Sequence, residues 1–124
     1  MKGHAIKVSA KSTFHPEQSA PEEGRYVFSY TVTIENQGSE PARLLDRHWV
    51  ITDADGGVQE VRGQGVVGEQ PYLRPGERFE YTSGTVISTP VGSMHGSYGM
   101  AGDDGTRFEA EIAAFSLAAL TRVH

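Results

Sequence analysis

Residues Arg25 to Glu35 (RYVFSYTVTIE) constrain the fold more than any other stretch. Tyr26, Phe28, Tyr30, Val32 and Ile34 share one parity, and Val27, Ser29, Thr31 and Thr33 share the other. A helix would scatter those apolar side chains around its axis. A strand, with its period of two, collects them on one face. Aromatic and β-branched residues suit the same pleated surface. The segment is therefore expected to be a half-buried strand, which needs neighbouring strands to be stable.

Those neighbours can be read from the punctuation. Fifteen glycines and six prolines divide the 124-residue chain into short segments, as in an all-β domain. Strands are expected at Ala5–Thr13, Arg25–Glu35, Ala42–Asp53, Val58–Arg62, Glu77–Ser83, Val91–Ala101 and Arg107–Leu117. Between them lie a solvated loop at His15–Gly24 and turns at Asn36–Pro41, Asp53–Gly57, Arg74–Gly76 and Gly102–Gly105. In Ala42–Asp53 neither parity is purely apolar at the start, which suggests a bulge or a half-covered strand. Met94, Gly96, Tyr98 and Met100 alternate in the next-to-last strand, and Phe108, Ala110, Ile112 and Ala114 are expected to face one way in the last. Phe115–Leu120 could pass for a helix and reads as a strand end and tail. The sum is an immunoglobulin-like or fibronectin type III-like β-sandwich of about seven antiparallel strands in two sheets. The absence of cysteine favours the fibronectin type III comparison. A single domain spanning residues 1–124 is expected, with residues 1–4 and 121–124 as flexible ends.

Charge and composition exclude several functions. The net charge is −5, so no overall basic character invites nucleic acid or an anionic membrane. No apolar run approaches the roughly 20 residues of a membrane span, and the first ten residues do not form a signal peptide. Without cysteine there is no thiolate metal site, disulfide or Cys nucleophile. A cytoplasmic protein without a cofactor is expected.

The segment Gly63–Gly68 (GQGVVG) places Gly63, Gly65 and Gly68 in the pattern of a dinucleotide-binding loop. That chemistry needs a helix opening within the motif, because the helix N-terminus holds the pyrophosphate. Here Glu69, Gln70, Pro71, Tyr72, Leu73, Arg74, Pro75 and Gly76 follow. The prolines forbid a useful helix, and Glu69 would set a negative charge beside any phosphate. The glycines are better explained by a loop needing positive φ or close backbone approach. Val66 and Val67 would then be core plugs or an exposed apolar tip.

Other candidates are weaker. His4, His15, His48, His95 and His124 include no pair at the helical spacing of a zinc hydrolase. Asp46 and His48 share a strand face without a nucleophile, so Asp46 orienting the ring, or plain solvation of both, is the better reading. His95 stands beside Met94, with Met100 nearby, a set soft enough for copper, but core packing suits the methionines better. Asp53 and Asp55, and Asp103 and Asp104, read as turn chemistry rather than calcium ligands. Arg43, Arg47 and Arg62 could share a face, which acids would balance. No catalytic or metal residues are assigned.

The runs LLDRHWVITDADG and GQGVVGEQPYLRPGERFEYTSGT, with MHGSYGM and FEAEIAAFSL, resemble the ApaG family over roughly residues 5 to 120. That resemblance implies a small bacterial protein with a fibronectin type III-like sandwich. It implies genes neighbouring a diadenosine tetraphosphatase and a ribosomal RNA dimethyltransferase. It also implies related domains that act as interaction modules in eukaryotic F-box proteins and a polymerase-interacting protein. A family association with cobalt resistance and magnesium efflux comes with it, and no catalytic residues do. The expected function is a non-enzymatic protein-interaction module with a protein partner. Its contact loop would comprise Gly63, Gly65, Val66, Val67, Gly68, Glu69, Pro71, Tyr72 and Leu73. One alternative is a nucleotide or dinucleotide polyphosphate bound at Gly63, Gly65 and Gly68; another is direct binding of a divalent cation. A monomer is expected, although an exposed edge strand could pair two copies.

Overall fold

In a computed structural model describing residues 4–119, the chain forms eight strands and two single-turn 3-10 segments. The strands are β1 (Ile6–Phe14), β2 (Tyr26–Asn36), β3 (Ala42–Asp53), β4 (Val58–Gln64), β5 (Tyr72–Leu73), β6 (Arg78–Ile87), β7 (Val91–Gly102) and β8 (Arg107–Ala118). One antiparallel sheet has the order β1-β2-β6. The other runs β4-β3-β7-β8, with β5 also pairing β3. The protein is an all-β sandwich of two antiparallel sheets.

The Tyr26–Ile34 alternation is what joins the layers. Phe28, Tyr30, Val32 and Ile34 are buried from β2, and Trp49, Met94, Tyr98 and Met100 from the facing sheet. Trp49 meets Tyr30 edge-on, ring centroids 5.2 Å apart, and Tyr98 at 6.3 Å. Edge-to-face contacts suit the aromatic quadrupole. Across the sheets the Tyr81 and Tyr98 hydroxyls share a hydrogen bond. On the opposite side of the sandwich Ser12 Oγ donates to the Ser116 carbonyl at 2.7 Å, linking β1 to β8.

Two bulges explain where simple alternation fails. The β3–β7 register shifts between Leu44 and Asp46, leaving Leu45 as the extra residue. Ala42 and Leu44 are buried before it, Trp49 and Ile51 after it, so the inward parity switches. The second bulge lies in β8. Met94 pairs with Phe115 and Gly96 with Ile112, so Ala113 and Ala114 together oppose one residue of β7. Ala110 and Ile112 face inward before it and Leu117 after it. Ala114, expected inward, is exposed for that reason. Gly96 is required nearby, because a Cβ there would strike the His48 carbonyl of β3.

The remaining differences are local. His15–Gly24 contains the 3-10 turns Pro16–Gln18 and Pro21–Glu23 rather than a featureless loop. β6 runs on to Ile87 instead of stopping at Ser83. β5 emerges from a segment read as loop, anchored by the buried side chain of Asn36, which donates to the carbonyls of Glu40 (2.9 Å) and Leu73 (3.0 Å). His4, expected in a loose end, stacks on Phe108 at 4.3 Å. Of the flexible ends expected at residues 1–4 and 121–124, residues 1–3 and 121–124 lie outside the described residues. No helix among the described residues is long and apolar enough to cross a membrane.

Candidate functional site

The Gly63–Leu73 segment leaves the end of β4, turns back on itself and enters β5. Gly65 donates its N–H to the Leu45 carbonyl at 2.8 Å, at φ +66°. Val66 and Glu69 then exchange backbone hydrogen bonds of 2.8 and 2.9 Å. These close a two-residue turn with Val67 at φ +43° and Gly68 at φ +81°. Positive φ at both central positions is the handedness of a type I′ hairpin turn. Gly68 leads into β5 rather than a helix, and three backbone amides of Gly65–Glu69 are already spent on carbonyls.

The three glycines serve different ends. A Cβ on Gly65 would run into the Glu69 carbonyl, on top of its positive φ. Gly68 has open space and is required for its φ alone. At Gly63 φ is not positive, and a Cβ would sit 2.7 Å from the Arg47 guanidinium. That guanidinium donates to the carbonyls of Gln64 (3.1 Å) and Gly65 (2.9 Å). Gln70 Nε2 donates to the Leu45 carbonyl at 2.9 Å, and Arg43 Nη1 to the Gln70 carbonyl at 2.9 Å. The loop is thus stitched to β3 at several points. Arg43 and Arg47 are used in that stitching, and Arg62 lies 3.5 Å from Glu60, an acid that balances it.

The loop divides its apolar residues. Val66 is 0% exposed and Val67 54% exposed. Val66 lines a cavity of about 190 Å³ with Tyr30, Arg47, Trp49 and Tyr81 at the mouth between the sheets. Leu73 is buried too. Val66 and Leu73, expected to touch a partner, are therefore core residues: the turn drives Val66 inward, and β5 pairing with Ala42 turns Leu73 inward. Val67 and Glu69 are exposed, and Pro71 and Tyr72 are half-buried. The Tyr72 hydroxyl donates to the Asp103 carboxylate at 2.9 Å, and the Arg43 guanidinium lies 5.1 Å over its ring. The bond to Asp103 pushes the Tyr72 hydroxyl above its ordinary range.

The other candidates resolve as ordinary structure. His48 bonds Glu60 Oε1 across the strands at 2.9 Å and makes no bond with Asp46. That bond holds the Glu60 carboxyl below the usual range. Sequence reasoning missed Glu60, because the diagonal neighbour on β4 depends on the hairpin register. It also missed Arg47 as the loop's clamp and the Tyr81–Tyr98 pair. Met94 and Met100 are fully buried and His95 is exposed, so they do not converge. Asp53 Oδ1 accepts from the amides of Asp55 (2.9 Å) and Gly57 (2.8 Å), and Asp104 Oδ1 from that of Thr106 (2.9 Å). Among the described residues no group of three His, Asp or Glu side chains could hold a metal.

Comparison with known proteins gives a consistent result. Residues 16–102 match the model of the ApaG domain. The chain is 59% identical to Protein ApaG of Methylococcus capsulatus over 123 residues, covering 99% of this chain and 98% of that one. It is also 59% identical to Protein ApaG of Pseudomonas aeruginosa over 121 residues, covering 98% and 96%. The crystal structure of the Bordetella pertussis ApaA protein superposes with a TM-score of 0.91 at 54% identity, covering 94% of this chain and 95% of that one.

Proposed function

The chain belongs to the ApaG domain family, and from that premise we propose that it is a non-enzymatic protein-interaction module of the cytoplasm. Its contact surface is the Val67 turn, flanked by Glu69, Pro71 and Tyr72. The observation that carries this reading is Val67 itself: a β-branched residue at φ +43° that is 54% exposed. That backbone region is unfavourable for a branched side chain, and stored strain of this kind concentrates where a surface is used. Gly65 and Gly68 shape the turn, and Val66 pins it to the core. Loops on a rigid sheet scaffold suit recognition, because the scaffold fixes their position.

The test is partner capture from a bacterial lysate with the wild type and Val67→Asn. The variant introduces a residue tolerant of positive φ and removes the apolar tip. Loss of specific partners with an unchanged or raised melting temperature supports the module. Identical partner sets for the two proteins would reject this surface. Phosphate binding at Gly63, Gly65 and Gly68 has less to stand on, since no helix N-terminus supplies free amides. It predicts amide shifts over residues 63–68 on adding ATP or diadenosine tetraphosphate at about millimolar concentration, which is weak binding.

A further inference from the structure

β4 ends its sheet, and six of its seven residues are exposed. It carries neither proline nor lysine, two of the usual guards of a free edge. The phase of its hydrogen bonding is fixed at both ends of the β3–β4 ladder. Asp53 donates to the Gly57 carbonyl at 2.9 Å and Gly65 to the Leu45 carbonyl at 2.8 Å. Antiparallel residues alternate between bonding one neighbour and the other. The odd-numbered residues of β4 therefore bond β3, and the N–H and C=O groups of Val58, Glu60, Arg62 and Gln64 point to the open side.

We infer that this edge pairs with the same edge of a second copy, about a two-fold axis at Val61. An antiparallel two-fold there sets Glu60 against Arg62 of the other copy, and Val58 against its Gln64. All four belong to the outward-bonding set, so the ladder is in phase. Val61 faces its own equivalent as the close, non-hydrogen-bonded pair. An axis at Glu60 opposes two glutamates, and an axis at Arg62 opposes two arginines, which are destabilising arrangements. An axis between residues pairs inward-bonding with outward-bonding groups. Axes at Gln59 or Gly63 are in phase but set Glu60 against Val58 or Arg62 against Gln64, so the Val61 axis alone pairs opposite charges in phase. The Glu60 and Arg62 side chains are both accessible, 54% and 71% exposed, and with Glu60 Oε1 held by His48 at 2.9 Å it is Glu60 Oε2 that meets Arg62 of the other copy. Val61, 38% exposed, gains its own equivalent as an apolar neighbour in the same step. The interface is isologous, so each favourable charge pair occurs twice.

The partner is therefore another molecule of this chain, and charge exchange tests it. Sedimentation of the wild type up to about 1 mM, the range of a weak edge contact, is expected to show a monomer–dimer equilibrium. Glu60→Arg and Arg62→Glu each place like charges opposite and weaken dimerisation at least tenfold. Mixing the two single variants restores a dimer. The Glu60→Arg chain then presents a cation at both positions, and the Arg62→Glu chain presents an anion at both, so each cation meets an anion. Arg62→Pro removes an outward N–H without touching the β3 ladder, and it also abolishes pairing. A wild type monomeric at about 1 mM, or a dimer indifferent to the single variants or not recovered on mixing, overturns the proposal.

Discussion

At position 67 a branched side chain occupies a backbone region that suits Asn or Gly, and Gly68 follows it. Val67→Asn would create the Asn-Gly pair that type I′ turns favour. Relief of the strain is expected to stabilise the fold by about 1 kcal/mol, within the range for such backbone effects. A rise in the urea midpoint at unchanged m-value checks it. The glycines grade the same turn. Gly65→Ala meets both a positive φ and a backbone carbonyl, and a cost of about 3 kcal/mol is expected. Gly68→Ala meets only the φ penalty, about 1 kcal/mol. Gly63→Ala must displace the Arg47 guanidinium and its two hydrogen bonds, also about 1 kcal/mol. Equal costs across the three would contradict this division of labour. The sequence made the turn legible, because glycine density and the following prolines exclude a helix. It left Val66 and Val67 equivalent. Two adjacent valines in a short turn have no periodicity, and only the chirality of the turn sends one in and the other out.

The strands show the same limit in another form. β2 is uninterrupted, so its parity alone specified the face that Phe28, Tyr30, Val32 and Ile34 bury. In β3 neither parity is purely apolar at the start, which left a bulge or a half-covered strand open; the bulge is what lets one face bury both Leu44 and Trp49. β8 gave no such sign, because Ala113 and Ala114 are small enough to suit either face and no bulky side chain contradicts regular alternation. Contacts between sheets, such as Tyr81 to Tyr98, depend on strand order and had no local signal. That pair makes a prediction at alkaline pH. Burial pushes the Tyr81 hydroxyl up to about 12 from 10.0, and burial, with Tyr81 beside it, pushes Tyr98 higher still. The folded state keeps both protons where the unfolded chain releases them. The stabilisation is therefore complete below about pH 10 and lost as pH rises through the folded pKa. Urea midpoints should hold from pH 8 to 10 and fall above it. In Tyr81→Phe/Tyr98→Phe that fall should be shallower. The double variant should also be closer to wild type than Tyr98→Phe alone, which leaves one buried hydroxyl unpaired at a cost of about 1–2 kcal/mol.

At the scale of the molecule, the sandwich followed from counting strands, while the order β4-β3-β7-β8 did not, since pairing between distant segments leaves no trace in either one alone. The order matters because it decides which polar groups converge. His48 meets Glu60 on β4, Asp46 stands by Gly99 on β7, and His95 is exposed elsewhere on β7. Asp53, the most calcium-like residue by sequence, already accepts two backbone amides within its own turn. A divalent ion would have to break those bonds and would find no third ligand among the described His, Asp and Glu side chains. The folded chain should therefore be indifferent to metal. A ligand at 100 times its Kd stabilises by about 2.7 kcal/mol, which for a domain of this size moves Tm by roughly 5 °C or more. Addition of about 1 mM cobalt or magnesium, or of EDTA, is expected to leave Tm within about 1 °C, well below that linkage. A shift of several degrees, together with amide changes at His48 or at Asp53 and Asp55, would show direct ion binding. An unchanged Tm would leave no direct ion binding by the folded chain to explain.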